Sequence, residues 1–523
     1  MTHQRVCAIL QAAAILAVAF FVIPVVPLQT RAVAADGPDS LPPAHACKLP
    51  RWRGFNLPDR INSEAPEGHR HNRPFREETI QMIAELGFNF VRLPVDYRHW
   101  IVDDDWARID EGAPLLRELD QVVEWGGRHG VHVNLCLAHA PGYFVVPEMM
   151  SDPADLFTDA TAQRICAEHW AMLARRYRDI PSNRLSFNLW NETPRVGQDA
   201  NYEVVTQVVE AIRAQDPDRL IIADGRDVAR TPCDELVDLG IAQSFHCYQP
   251  IQVTHFMASW VKGADRWGVP TWPRPEARGW LCGPGYGERH ATLTVAGPFA
   301  DVVELRVRIG DVFNTATLRV EADGAVLWEK QFATGPGEGE WQHSEYLEQW
   351  QAHLCYYGRD YRLSVPAQTR ELRLSVVDGH WLQIVQVGVP APAGRKATLD
   401  LDGTWGQPPT PLRYTHGAGW KTPVLQDMEW LRAQLISPWQ ALEAKGVGVM
   451  AGEFGVFNRT PHDVTLRWLE DCLRLFSEAG WGWALWNFDG AIGILDSDRA
   501  DVEYEDWEGH KLDRKMLELL QRY

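Results

Sequence analysis

The stretch Pro114–Leu137, PLLRELDQVVEWGGRHGVHVNLCL, combines the two patterns that decide the fold. Its first part, Pro114–His129, repeats apolar residues at helical spacing and stops before Gly130, a residue that suits a helix C-terminus. Its second part, Val131–Leu137, is a short apolar run, as expected for a parallel strand with both faces covered. The stretch therefore predicts a helix followed by a buried strand.

The same pair of patterns recurs along most of the chain. Eight short apolar runs predict strands: Arg53–Leu57, Phe88–Pro94, Val131–Leu137, Leu185–Trp190, Leu220–Asp224, Ile241–His246, Val447–Glu453 and Trp481–Trp486. Helical patterns accompany them at Glu77–Leu86, Pro114–His129, Thr161–Arg178, Tyr202–Gln215, Trp430–Lys445, Asp463–Ala479 and Leu512–Arg522. Eight strands, each with a following helix, predict an α/β fold, the (β/α)8 barrel. The alternative is an open doubly wound sheet, which usually carries a Gly-rich phosphate loop that this sequence lacks.

The alternation stops between the sixth and seventh predicted strands. Residues 273–412 contain no long helical pattern and instead contain alternating apolar and polar runs typical of strands. The sequence Ala322-Asp-Gly-Ala is a hairpin signal. Both ends of the region are rich in proline. We therefore predict an inserted all-β sandwich over 273–412, which divides the barrel into residues 45–272 and 413–523.

The composition excludes several classes of partner. The chain has 523 residues, with 70 acidic against 51 basic side chains and a net charge of −19. Such a chain is a poor partner for nucleic-acid phosphates and for an anionic membrane surface. Its 23 tryptophans are many for this length, and each offers a flat apolar face with a polar N–H. Neutral, partly apolar ligands such as sugar rings are therefore favoured.

The N-terminal segment predicts export. A long apolar run is followed by Ala32-Val33-Ala34, a small-x-small cleavage site, so residues 1–34 are interpreted as a signal peptide. The alternative is an uncleaved membrane anchor, because the run from Val6 to Val26 is long for a signal core. The protein is therefore expected to be secreted or periplasmic, with membrane contact only if this segment is retained.

The cysteines predict no metal or redox motif. No two of the nine cysteines form a Cys-x-x-Cys pair, which leaves zinc-ribbon and thioredoxin-like interpretations without support. Disulfides are allowed in an exported protein, and Cys282 with Cys355 is a candidate bridge because both lie in the insert.

Two glutamates follow or end predicted strands on opposite sides of the barrel. Glu192 comes after the fourth strand and Glu453 ends the seventh, and strand-end polar residues at this face of a barrel are typical of catalysis. Hydrolysis of a glycosidic bond needs two carboxyl groups, one protonated to serve the leaving oxygen and one ionised to attack. The alternative is that each glutamate is only a structural ion-pair partner. If they act as a retaining pair, their carboxyl groups are expected within about 5–6 Å of each other.

Six short motifs support the catalytic interpretation. They are Arg53-Gly-Phe-Asn56, Phe90-Val-Arg92-Leu-Pro94, Asn191-Glu192, His246-x-Tyr248, Gly452-Glu453-Phe-Gly455 and Leu485-Trp486-Asn487-Phe488. Together they resemble glycoside hydrolase family 5, the cellulase-like members of the large (β/α)8 glycosidase clan. The resemblance covers the barrel and not the insert.

The resemblance implies that Glu192 is the general acid/base and Glu453 the nucleophile. It also implies that Asn191 binds the 2-hydroxyl of the sugar at the cleavage point. These roles agree with the chemistry of the side chains, because the same two carboxyl groups can serve both steps of a double displacement.

The remaining motif residues are implied to support this pair. Arg92 and Tyr248 are expected to hold the nucleophile in its charged form, since a nearby cation lowers the pKa of a carboxyl group. His246 is expected to hydrogen-bond within the acid/base network. Trp486 is expected to be the stacking floor under the sugar.

Two motifs depart from the family pattern. The family usually has proline directly after the acid/base, whereas Thr193 stands between Glu192 and Pro194, so an altered loop geometry is expected. The substrate-binding histidine of the family aligns with Ala138, and His139 comes one residue later. A shift of one residue turns a strand side chain to the other face, but His139 remains a candidate substrate contact.

The sequence therefore predicts a retaining glycoside hydrolase that cleaves β-glycosidic bonds in a β-glucan or a related polysaccharide. No cofactor and no metal are expected, because the two carboxyl groups supply both the proton transfer and the nucleophile. The alternatives are a carbohydrate-binding surface protein with little catalysis, and a transglycosylase. The sugar, the linkage and the oligomeric state are left open.

The insert is expected to lie beside the catalytic cleft, because it leaves the barrel through a βα loop. Its tryptophans either form a sugar-stacking face or are packing residues; they are Trp328, Trp341, Trp350, Trp381 and Trp405.

Overall fold

The computed structural model describes residues 41–287, 292–389, 397–403 and 405–523. The signal peptide predicted for residues 1–34 lies outside these residues. Within the described part of the chain, none of the helices is both long and apolar enough to cross a membrane.

Eight parallel strands close into a barrel, as the sequence predicts. They are β1 Arg53–Asn56, β2 Phe90–Asp96, β3 His132–Ala140, β4 Leu185–Asn188, β5 Ile221–Asp224, β6 Ala242–Cys247, β7 Val449–Phe454 and β8 Gly482–Leu485. Each strand pairs in parallel with the next, and β8 pairs with β1 to close the ring. The predicted (β/α)8 fold class is confirmed.

Helices follow the strands and share one apolar core with them. The longer ones are Glu77–Glu85, Pro114–His129, Ala160–Tyr177, Gln198–Gln215, Ser437–Glu443, His462–Ala479 and Arg514–Arg522. Shorter helical segments are Arg226–Ala229, Asp234–Leu239, Ile251–Thr254, Met428–Leu431 and Arg432–Ile436. Only short helical segments follow β5, whereas the helix predicted at Trp430–Lys445 is observed as three segments that run on without a break, Met428–Leu431, Arg432–Ile436 and Ser437–Glu443.

Three short antiparallel strand pairs lie outside the closed ring of eight strands. Tyr143–Phe144 folds back on β3, Ile101–Val102 pairs with Asp105–Ile109, and Glu505–Trp507 pairs with His510–Leu512.

The region between β6 and β7 is all-β, as predicted. Its strands are Trp280–Cys282, Thr292–Phe299, Val303–Ala322, Ala325–Phe332, His343–Leu347, Ala352–Val365, Thr369–Val389, Ala397–Asp400, Leu412–Thr415 and Gly419–Lys421. Hydrogen bonds join them into one network, and the longest strands carry register shifts. Such bulges bend a strand, which lets one sheet enclose a core. That core is separate from the core of the barrel.

The sheet of the insert continues beyond the predicted exit. Leu412–Thr415 pairs in parallel with Thr292–Phe299, and Arg274–Pro275 pairs with Leu425–Gln426 as a neck at the barrel. The proline-rich run before Leu412 is a connection within the sheet rather than the linker that leaves it. We therefore propose that the inserted unit runs from Pro273 to Gln426.

The candidate bridge between Cys282 and Cys355 is not formed. Cys355 Sγ instead lies 3.4 Å from Ser344 Oγ. Cys282 pairs with Trp381 and Cys355 with Val312, so two further strands lie between the strands that carry the cysteines. At the usual spacing of neighbouring strands the two residues are about 14 Å apart, too far for a disulfide.

The tryptophans of the insert do not share one face. Trp328 and Trp341 contact tyrosine rings of the strand Ala352–Val365, and Trp381 stacks on a phenylalanine in the interior. Trp350 and Trp405 are exposed, at 62% and 57%. The first three are packing residues, and only the last two offer an open ring.

Candidate active site

The site is assembled from the C-terminal ends of several barrel strands. Arg92 belongs to β2, Asp224 ends β5, His246 belongs to β6 and Glu453 belongs to β7. Glu192 follows β4 by a short loop. Parallel strands of a barrel end at the same rim, so residues that are distant in sequence meet there.

The structure brings the two glutamates together. One carboxylate oxygen of Glu192, one of Glu453 and a ring nitrogen of His246 all lie within 4.8 Å of one another. This meets the expected approach of about 5–6 Å for a retaining pair. The side chain of Glu192 is 19% exposed, whereas that of Glu453 is only 5% exposed. The two carboxyl groups therefore face each other in different environments.

Two donors hold Glu453, one at each oxygen. Arg92 Nη1 donates to Oε1 at 2.7 Å, and the hydroxyl of Tyr248 donates to Oε2 at 3.0 Å. Burial raises the pKa of Glu453 to about 7, although the charges of His246 and Arg92 act in the opposite direction. Glu453 therefore changes its charge close to neutral pH.

Arg92 is buried and its donors are shared among several acceptors. Besides Glu453, it donates to Asn56 at 3.0 Å, Asn188 at 2.8 Å and Asn191 at 2.8 Å. Charge-assisted bonds of this kind fix a guanidinium in one orientation. Arg92 thereby links the predicted nucleophile to Asn191, the predicted contact of the sugar hydroxyl.

His246 lies between the two glutamates. Its Nδ1 is 3.0 Å from Glu192 Oε1 and 3.4 Å from Glu453 Oε2, and its Nε2 is 3.2 Å from Asp224 Oδ2. Burial disfavours a charged imidazole, but Glu453 and Asp224 outweigh it and raise the pKa of His246 to about 10. The imidazole is therefore a cation at neutral pH, placed between carboxylates.

Asp224 is a site residue that the sequence interpretation missed. It accepts the backbone N–H of Glu192 at 2.9 Å and lies 3.3 Å from Arg92 Nη2. Burial raises its pKa, but His246 and Arg92 outweigh burial and lower it to about 2. The signal was present in the sequence, because Asp224 ends the fifth predicted strand as Glu453 ends the seventh.

Thr193 supports the loop that carries Glu192. The backbone of Glu192 has φ of 56°, a left-handed conformation that is strained for a residue with a side chain. The Thr193 hydroxyl accepts from Trp190 Nε1 at 2.9 Å and bonds to the Asp224 carbonyl at 3.1 Å. A proline at this position offers no hydroxyl, so the departure from the family motif has a local structural role.

The last two residues predicted to contact the substrate, Trp486 and His139, differ in burial and in their neighbours. Trp486 follows β8, is half-buried, and donates its backbone N–H to Phe454 O at 2.8 Å, beside the strand of Glu453. His139 is buried 3.8 Å from Asp96 Oδ1 and 3.6 Å from Asp152 Oδ2. In the described residues no hydrogen bond or ion pair joins His139 to either glutamate.

One group of side chains could geometrically hold a metal ion in the described part of the chain: Glu192, His246 and Glu453. Its chemistry favours protons over a divalent cation. The two ring nitrogens of His246 already lie 3.0 Å from Glu192 and 3.2 Å from Asp224, and Arg92 already places a positive charge on Glu453.

Comparison with known proteins finds similarity over part of the chain. Residues 51–272 match the model of the cellulase family, glycosyl hydrolase family 5. Endoglucanase C of Acetivibrio thermocellus is 31% identical over 218 residues, which are 40% of this chain and 61% of that protein. Cellodextrinase A of Ruminococcus flavefaciens is 27% identical over 220 residues, with the same two shares. The match thus spans 61% of the length of these relatives.

A solved structure extends the likeness beyond the matched segment. A crystal structure described as a glycoside hydrolase superposes with a TM-score of 0.58 at 26% identity. The superposition covers 90% of this chain and 99% of the other.

Proposed function

We propose that this chain, whose residues 51–272 match glycosyl hydrolase family 5, is a retaining glycosidase that cleaves β-glycosidic bonds in a neutral polysaccharide. The observation that carries the proposal is the pair of carboxyl groups within 4.8 Å at the barrel mouth. One of them is buried and held by two donors, and the other is partly exposed. The two donors orient Glu453 for attack, and the partial exposure of Glu192 leaves it open to the leaving group and to water.

In the first step, Glu453 attacks the anomeric carbon while Glu192 donates a proton to the leaving oxygen. The bond to the leaving sugar breaks and an ester bond to Glu453 forms. The bonds from Arg92 and Tyr248 leave the attacking carboxylate in one orientation, so little reorganisation is needed at the moment of reaction. The Asn191 amide group, whose oxygen is held by Arg92, remains free to donate to the 2-hydroxyl of the sugar.

In the second step, Glu192 takes a proton from water, and the water oxygen attacks the same carbon from the side that the leaving group vacated. The ester breaks, Glu453 regains its charge, and the configuration of the sugar is retained. His246, as a cation between both glutamates, stabilises whichever of them is negative during the cycle.

The substrate we propose is a β-linked glucan. Two relatives that share the barrel sequence are described as an endoglucanase and a cellodextrinase. The strong negative charge of the chain favours a neutral polymer over an acidic one. Trp486, half-buried at the end of β8, is our proposed floor under the sugar at the cleavage point. We also propose export, based on the signal-like residues 1–34.

The test separates the two glutamates by leaving group. We expect Glu192→Ala to lose most activity on cello-oligosaccharides and to keep part of it on aryl cellobiosides with good leaving groups, with rescue by azide. Glu453→Ala should lose activity on both, because no covalent intermediate can form. Glu203→Ala, an exposed glutamate on the helix Gln198–Gln215, is the matched control.

Equal losses on both substrates in Glu192→Ala would contradict the acid/base role. Binding of β-glucan without turnover by the unmodified protein would instead support the alternative of a carbohydrate-binding protein.

A further inference from the structure

A cavity of about 640 Å³ lies between the barrel and the insert. One wall is the loop that follows β6, including Trp267 and Val269, and the other wall is the insert sheet, including Tyr356, Gln383 and Asp400. The volume is in the range of small-molecule binding sites. None of these residues takes part in the mechanism proposed above.

The cavity is connected to the active site by its own loop. Tyr248, whose hydroxyl bonds to Glu453, is followed by Ile251 and Gln252, which line the cavity. Three residues of chain span at most about 11 Å between Cα atoms. The cavity therefore begins within about 11 Å of Tyr248, measured between Cα atoms, on the C-terminal side of β6.

The contact between loop and insert is tight and specific. The Cα of Gly268 approaches the insert so closely that a Cβ there would lie 1.9 Å from Asp400 Oδ2. The guanidinium of Arg266 lies 4.0 Å from the centroid of the Tyr356 ring, and its Nη1 is 3.7 Å from Asp311 Oδ1. The two walls of the cavity are therefore held at a fixed separation.

The charges that line the cavity balance. The cations are Lys262, Arg266 and Arg274, and the anions are Asp311, Asp400 and Asp402. A balanced lining gives no net attraction for an ionic ligand. Planar polar side chains such as carboxylates, amides and guanidinium groups bind hydroxyl groups by hydrogen bonds, and Trp267 adds an apolar surface for a ring.

Arg274, which lines the cavity, has a buried donor group without an acceptor among the described residues. It is only 7% exposed and Nη2 pairs with Asp402 at 3.2 Å, but its Nη1 has no hydrogen-bond partner among the described residues. A buried charged donor without a partner is unfavourable, and an acceptor brought by a ligand or a bridging water removes that cost.

We propose that this cavity binds a neutral oligosaccharide segment, a distal part of the same polymer chain that is cleaved at Glu192 and Glu453. The inference rests on the proposed function for the identity of the polymer. In this proposal the insert completes a subsite for long substrates that lies outside the catalytic site.

The test compares long with short substrates in variants of the cavity wall. Trp267→Ala removes the apolar surface, and Val269→Arg places a long side chain at a position that is 66% exposed and therefore tolerant. We expect each to lower kcat/KM on cellohexaose about tenfold more than on 4-nitrophenyl cellobioside, as for the loss of one or two good contacts. Trp350→Ala, an exposed tryptophan of the insert outside the cavity, is the matched control and should leave this ratio unchanged.

A binding measurement keeps the inference separate from catalysis. In the Glu453→Gln protein, calorimetric titration with cellohexaose should show an affinity about tenfold weaker when Trp267→Ala or Val269→Arg is added. Equal affinity in all three proteins, or an unchanged ratio of long to short substrate, would overturn the inference. If the unmodified protein hydrolyses neither cellohexaose nor 4-nitrophenyl cellobioside, the proposed function is overturned instead. The titration still reports whether the cavity binds cellohexaose.

Discussion

The barrel and the insert bury different kinds of side chain. At the mouth of the barrel, Arg92, Asp224, His246 and Glu453 are each at most 4% exposed. Between residues 280 and 421, the buried polar side chains of the described chain are only Thr317, Thr369 and Thr410. The insert therefore has an apolar interior and places its charges outside, as in the ion pairs around Asp360.

This difference shows which region of the molecule buries charged side chains at a cost in folding free energy. A buried charge is unfavourable unless it is paired, and a set of them is retained where chemistry requires shifted pKa values. The barrel holds such a set at one end of its core. Among the described residues, the sheet of the insert holds no such set of buried charges. The charged groups of the insert that have low exposure, such as Arg274, lie at the neck beside the barrel.

The largest effect expected from this contrast is at Glu453. Glu453→Gln should lower turnover at least about a thousandfold, because the amide cannot act as nucleophile. The same change should stabilise the protein. The pKa of Glu453 is raised from its usual 4.5 to about 7, so the folded protein binds this proton more tightly than the unfolded chain.

The stability that this proton contributes is present below about pH 4.5 and is lost as the pH rises to about 7. Glu453→Gln should therefore gain little at pH 4.5 and roughly 1–3 kcal/mol at pH 8, measured by thermal or denaturant unfolding. A stability gain that is the same at both pH values would contradict a raised pKa for Glu453.

The second effect compares two arginines. Arg92→Leu leaves Glu453 and Asp224 buried without their partner, which should cost about 3–5 kcal/mol in unfolding free energy as well as activity. Arg306→Leu in the insert removes an arginine from the partly exposed pair with Asp360 and should cost less than about 1 kcal/mol. Similar costs in denaturant unfolding would show that the barrel mouth and the insert do not differ in how they bury charged side chains.

The third effect tests whether the two cores are independent. Ile384 lies in the core of the insert, and Ile384→Ala should cost about 2–5 kcal/mol there. The barrel core contains none of the residues of the insert core. Calorimetry of Ile384→Ala should therefore show the unfolding transition of the insert at a lower temperature and the transition of the barrel unchanged. Leu473→Ala in the barrel core is the matched change and should move the other transition. Coupled shifts of both transitions would mean that the units unfold together.

The smallest effect concerns the loop that carries Glu192. Thr193→Val removes the hydroxyl that serves Trp190 Nε1 and the Asp224 carbonyl, at similar size. A buried donor left without a partner should cost about 1–3 kcal/mol, and a loosened acid/base should lower kcat several-fold with little change in KM. Thr193→Ser, which keeps the hydroxyl, should restore most of both, and its failure to do so would assign the effect to packing.

Much of the fold and part of the site follow from the sequence. The eight strands and most long helices are where the apolar periodicity predicts them, because both faces of a parallel strand and one face of each helix must be covered. The helix predicted over Thr161–Arg178, for example, is observed at Ala160–Tyr177. The exit of the insert that we propose lies after the predicted one, because a proline-rich run looks the same in a linker and in a connection within a sheet.

The site residues also divide into those that the sequence predicts and those that it does not. Six predicted residues meet at one end of the barrel: Glu192, Glu453, Arg92, Asn191, His246 and Tyr248. All but Arg92, which lies within its strand, stand at or just after the end of a predicted strand. Asp224 stands at such an end as well, but nothing in a single strand distinguishes a carboxylate that faces the rim from one that faces solvent. His139 is near a strand end and nevertheless pairs with Asp96 and Asp152.

The sequence by itself determined the barrel and the existence of an all-β insert, and it singled out Glu192 and Glu453 as the candidate pair, because these depend on periodicity and short motifs along one segment of chain. Only the tertiary structure decided the charge states at the site, the support of Glu192 by Thr193 and Asp224, and the cavity at the neck of the insert. The physical reason is that pKa shifts and cavities depend on distances between side chains separated by many residues in sequence. In this protein Arg92 and Glu453 are 361 residues apart along the chain and 2.7 Å apart in space.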